Sequence, residues 1–106
     1  MVQEVSPEEL KAQWDAGGTP QVLDVREAWE LEISQLPRVR HIPMNDVPER
    51  LAELDPGQPL VVMCRSGARS LRVAQYLEQR GFGRVSNLTG GILAWGERID
   101  PSLRPY

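Results

Sequence analysis

The sequence predicts an α/β fold, a parallel sheet with helices on both faces, and three observations carry that expectation. Strand-like and helix-like segments alternate along the whole chain. The run Pro59-Leu60-Val61-Val62-Met63-Cys64 is apolar without alternation, as suits a central parallel strand covered on both sides. A short polar loop then leads straight into renewed helical periodicity.

The elements follow in order. Gln3 to Val5 reads as a short strand. Ser6-Pro7-Glu8-Glu9-Leu10 starts a helix: Ser6 can cap it, Pro7 suits its first position and Glu9 can complete a capping box. Val5 and Leu10 stand at the spacing of a hydrophobic staple, Leu10 and Trp14 share a face, and Gly17-Gly18 ends the helix. Gln21 to Val25 is a compact apolar strand, and Glu27 to Ile33 predicts a short helix with Trp29 and Ile33 on one side. An extended piece spans Val39 to Ile42. Asp46-Val47-Pro48-Glu49 resembles another helix start, with Leu51 and Leu54 inward, and Asp55-Pro56-Gly57 is a turn. After the central strand, a helix is expected from Arg69 or Ser70, carrying Val73, Ala74 and Leu77 inward and stopping at Gly81. Arg84 to Leu88 is the last strand, and Thr89-Gly90-Gly91 opens a final helix through Trp95. Trp14, Trp29 and Trp95 are all expected in the core.

At 106 residues the chain is expected to form one domain over 1–106. Its net charge of −3 argues against nucleic acid or anionic membrane as partners. No stretch approaches the length of an apolar membrane span, and Met1 to Leu10 lacks the plan of a signal peptide, so a cytoplasmic location is the expectation. No segment carries an obvious surplus of apolar surface, so a monomer is expected. A single cysteine excludes an internal disulfide and a CxxC pair; with one histidine, a metal site would need several carboxylates, and no metal or organic cofactor is expected.

The informative unit is Cys64-Arg65-Ser66-Gly67-Ala68-Arg69-Ser70, between strand and helix. In open α/β sheets ligands bind beyond the carboxyl ends of strands, where Cys64 falls. A tight loop feeding a helix can turn its amides inward and hold an anion, with Gly67 permitting the curl. A cysteine at the centre of such a ring is expected as thiolate, the nucleophilic form. Arg65, Arg69 and Arg72 occur here with no acid among them, and Arg65 and Arg69 are expected to orient an anionic donor. Thiosulfate, a persulfide and phosphate all fit that polarity. Cysteine-dependent phosphatase loops read C-x5-R, whereas Arg69 makes this one C-x4-R and Ser70 takes the arginine's place. The shorter ring suits a terminal sulfur better than a tetrahedral phosphate. A lone cysteine is often only a small buried hydrophobe; the glycine, serine and arginines beside this one argue for chemistry.

Over nearly its whole length the chain resembles the rhodanese family. Leu23-Asp24-Val25-Arg26-Glu27 is similar to its "DVRE" signature and His41-Ile42-Pro43 to its "HIP" segment. Cys64 to Ser70 is similar to the active-site loop of its bacterial single-domain members, and Asn87-Leu88-Thr89-Gly90-Gly91 with Trp95 to its closing pattern. Arg40 and Met44-Asn45 depart from the usual "GHIPGA", and Ser34 to Arg40 is longer and more basic than usual. The resemblance implies a three-layer α/β/α fold with a five-stranded parallel sheet. It also implies double displacement: thiosulfate or another donor gives its outer sulfur to Cys64, and the persulfide passes it to cyanide, a thiol or a sulfur-relay protein. Cys64 would be the catalytic residue, with Arg65, Ser66, Gly67, Ala68 and Arg69 as the substrate-binding ring. Asp24, Arg26 and His41 are expected in structural roles, and Trp95 in the core or at the pocket wall. The alternatives are a rhodanese-like binding module without catalysis, and a phosphatase or arsenate reductase of the same fold.

Overall fold

The computed structural model describes all 106 residues. Five parallel strands, β1 (Gln3–Val5), β2 (Gln21–Asp24), β3 (Val39–His41), β4 (Leu60–Met63) and β5 (Val85–Leu88), form one sheet in the order β1-β5-β4-β2-β3. Helices α1 (Pro7–Gly17), α2 (Ala28–Ile33), α3 (Ala68–Gln79) and α4 (Gly91–Arg98) connect or follow them.

Alternation along each strand divides the core between the two faces. Leu23, Leu60, Val62, Cys64 and Val85 point to one side, where Val73, Ala74 and Leu77 of α3 cover them with Val47 and Leu54. Val22, Val61, Met63 and Leu88 point to the other, against Leu10 and Trp14 of α1, Ile92 and Trp95 of α4, and Leu36. Trp14 and Trp95 meet edge to face at 5.6 Å, so Trp95 is a core residue and not a pocket wall. β4 is buried at every position, as its unbroken apolar run requires.

The local signals at α1 operate as expected. Ser6 Oγ accepts from the Glu9 amide, Glu9 accepts from the Ser6 amide, and Gly18 closes the helix at φ 84°. Three expectations need correction. Trp29 is 59% exposed, because the six-residue α2 turns Glu30 inward and leaves the indole outside. The segment after Pro43 forms two 3-10 turns, Met44–Asp46 and Pro48–Glu53; Arg50 leaves helical geometry, so no α-helix propagates, although Leu54 is still buried. Helix α3 begins at Ala68, one residue before the expected start, because Gly67 takes the left-handed conformation at its cap. No helix is long and apolar enough to cross a membrane.

Candidate active site

Cys64 follows β4, and the loops leaving β4 and β2 meet beyond the carboxyl edge of the sheet. The backbone between β4 and α3 is turned so that its carbonyls face away from the cysteine. Cys64 O and Arg65 O accept from the Ile92 and Leu93 amides at the start of α4, at 2.9 and 3.1 Å. Gly67 O accepts from Leu71 N and from Asn87 Nδ2. With these carbonyls anchored outside, two amides reach the sulfur: Gly67 N lies 3.1 Å from Cys64 Sγ and Ser70 N 3.4 Å, while the amides of Arg65, Ala68 and Arg69 donate to no protein group. Gly91 makes this approach possible. At φ 59° it sits so close to the loop that a Cβ would strike the carbonyls of Cys64 and Arg65.

Burial pushes the Cys64 thiol pKa up, since the residue is only 1% exposed. Hydrogen bonds from the Ser70 side chain and from the Ser70, Gly67 and Ser66 amides outweigh that and hold it below the ordinary thiol range. The Ser70 hydroxyl contributes less than its position suggests. Its Oγ is 3.3 Å from Sγ but 2.6 Å from Asn87 Oδ1, and it has one proton for both. Asn87 cannot offer its amide nitrogen instead, because Nδ2 faces Gly67 O and the Glu4 carboxylate.

Of the expected loop donors, Gly67 and Ser66 turn their amides to the sulfur, while the two arginines are engaged elsewhere. Arg69 forks onto Glu30, with Nη1 2.8 Å from Oε2 and Nη2 2.9 Å from Oε1. Glu30 is 3% exposed and also accepts from the Glu27 amide and the Tyr106 hydroxyl. Arg69 is the main reason its pKa falls to about 2, against the opposing effect of burial; the Glu27 and Tyr106 bonds lower it further. Arg65 rests over the Tyr106 ring at 5.0 Å, and the Tyr106 hydroxyl also accepts from Arg26 Nη1 at 2.9 Å.

Asp24 and Arg26 form a fully buried ion pair at 2.8 Å behind the loop. Arg26 further donates to Ser34 O, and His41 Nε2 lies 2.6 Å from Arg26 O. All three are structural here, holding loops to one another. Glu30, Asn87 and Tyr106 are the site neighbours that sequence reasoning did not assign to it, and Ser70, placed in the loop, was given no role there. The capping pair of Glu27 and Glu30 marks the helix start, but nothing local ties Glu30 to a loop 39 residues away.

Comparison with known proteins identifies the family and the fold. A family model described as a rhodanese-like domain matches residues 6–98. A Bacillus subtilis (strain 168) protein named as a sulfurtransferase, YtwF, is 38% identical over 100 residues, covering 94% of this chain and 96% of that one. An Allochromatium vinosum sulfurtransferase is 36% identical, covering 99% and 98%. Among solved structures, a rhodanese-like domain protein from Staphylococcus aureus superposes with a TM-score of 0.84 at 30% identity, covering 99% of each chain.

Proposed function

The chain belongs to the rhodanese-like family and its reaction class is sulfur transfer; from that premise, we propose that it works through a persulfide on Cys64. The observation that carries this reading is the convergence of the Gly67 and Ser70 amides on a nearly buried sulfur. At 1% exposure Cys64 leaves no room for a bulky group, so only the outer sulfur of a donor reaches it.

In the first step, Cys64 Sγ as thiolate attacks the outer sulfur of thiosulfate or of a persulfide. The new S–S bond forms as the donor's breaks, and sulfite or the donor thiolate leaves with the bonding pair. The transferred sulfur then bears the negative charge at the mouth of the loop, where the amides of Arg65, Ala68 and Arg69 are free to donate to it. In the second step, cyanide or an acceptor thiolate attacks that sulfur and Cys64 leaves as thiolate. Both steps are nucleophilic displacements at sulfur and need no base, so His41 has no role in them. With no second cysteine in the chain, the acceptor is external.

Thiocyanate formation from thiosulfate and cyanide tests the reading, with Cys64→Ser beside the wild type. Turnover is expected only where the cysteine is present. Undiminished turnover by the serine variant would overturn the mechanism. Hydrolysis of an aryl phosphate with no thiocyanate formed would move the chemistry to phosphoryl transfer.

A further inference from the structure

The stretch from Cys64 to Arg72 is basic in sequence, yet the fold neutralises Arg69, the arginine that follows the cysteine loop. Arg69 meets the Glu30 carboxylate with both prongs of its guanidinium. Arg26 is matched by Asp24. The Glu4 carboxylate comes in from β1, accepting from Asn87 Nδ2, which itself holds Gly67 O. Arg65 and Arg72 have no carboxylate partner, the Arg65 guanidinium lying over a neutral phenol ring. Glu30 is held too firmly to yield Arg69 to a substrate. Both its oxygens are doubly hydrogen-bonded, by Arg69 twice, the Glu27 amide and the Tyr106 hydroxyl, and it is 3% exposed.

Charge balance then separates the donors. A thiolate meeting thiosulfate brings three negative charges together, whereas a thiolate meeting a persulfide anion brings two. Each unneutralised charge is costly in a confined site of reduced dielectric. We propose that Glu30 is a specificity-determining residue which, by neutralising Arg69, biases the Cys64 loop against dianionic sulfur donors and toward persulfides. This rests on the sulfur-transfer reading and narrows its donor class. Glu30 acts through Arg69 and touches no reacting atom, so it is a positioning residue.

The test is Glu30→Gln, which keeps the shape and one hydrogen-bond acceptor while releasing the arginine's charge. Loading rates are measured with thiosulfate and with cysteine persulfide. The ratio of kcat/KM for thiosulfate to that for the persulfide is expected to rise about tenfold, equivalent to about 1.4 kcal/mol. The rise should come from a lower thiosulfate KM and disappear in Glu30→Gln/Arg69→Gln. A ratio that does not move, or a rise that survives loss of Arg69, overturns the proposal. Persulfidated albumin serves as a second reference donor. A rise against both references assigns the effect to the persulfide group, and a rise against cysteine persulfide alone overturns it. Should the variant fail to fold, the wild type decides: low-millimolar sulfate, a dianion shaped like thiosulfate, should not compete with cysteine persulfide, and competitive inhibition by it overturns the proposal. Loading by neither donor would instead overturn the sulfur-transfer reading, and the specificity with it.

Discussion

Replacing Ser70 by alanine tests how the site sets the reactivity of Cys64. The hydroxyl lies 3.3 Å from Sγ, and its single proton is contested by Asn87 Oδ1 at 2.6 Å. A hydrogen bond to a charged acceptor contributes about 1.5–3 kcal/mol, and sharing puts this one at the lower end, about 1.5 kcal/mol. Its loss leaves the Gly67 and Ser70 amides on the sulfur, so the thiol still titrates, but its midpoint rises. The thiolate fraction below the midpoint falls about tenfold. A more basic thiolate is also a better nucleophile, and a Brønsted slope near 0.5 returns about threefold of that loss. Alkylation by iodoacetamide across pH should therefore be about threefold slower in Ser70→Ala at low pH and about threefold faster at high pH, the two profiles crossing between. An unmoved midpoint would refute the role given to the hydroxyl. Uniform slowing at every pH would refute it as well, since that is the mark of lost access.

Four further outcomes follow from the same geometry. Asp24→Asn leaves the Arg26 charge buried without its partner and should cost about 3–5 kcal/mol in urea denaturation; a loss below about 1 kcal/mol would contradict the pair's structural role. Gly91→Ala forces a Cβ against the Cys64 and Arg65 carbonyls, so both the melting temperature and sulfur loading should fall, and unchanged loading would show that the loop does not depend on this contact. The folded chain keeps Glu30 ionised down to about pH 2, whereas unfolding restores protonation near 4.5. Its contribution, on the order of 2–3 kcal/mol, is full above about pH 5 and lost as pH falls toward about 2, and the stability gap to Glu30→Gln should narrow over that range in denaturation curves. Tyr106→Phe removes the hydroxyl that joins Arg26 to Glu30 and should cost about 1 kcal/mol by chemical denaturation, with no loss indicating an idle contact.

What could be read from the sequence was what short-range chemistry dictates. Ser6, Pro7 and Glu9 announce α1 within four residues, and the apolar run into Cys64 places the sulfur at the end of a covered strand. The loop's shortness and its glycine foretell the Gly67 and Ser70 amides that donate to the sulfur. The charge state of the loop was not legible. Arg65, Arg69 and Arg72 read as a basic cluster, but the acid that neutralises Arg69, Glu30, arrives from a distant element and leaves no local pattern. Tyr106 is farther still, 76 residues from the carboxylate it binds. Trp29 failed as a core residue for the same reason: its helix is too short for periodicity to choose a face, and burial of Glu30 on Arg69 chose it instead.

The central claim is that Cys64 carries the sulfur, and intact mass after brief exposure to thiosulfate, then to cysteine persulfide, tests it most directly. The account predicts a gain of one sulfur atom, removed by cyanide and absent from Cys64→Ser. No gain from either donor, or an equal gain in the serine variant, would contradict it.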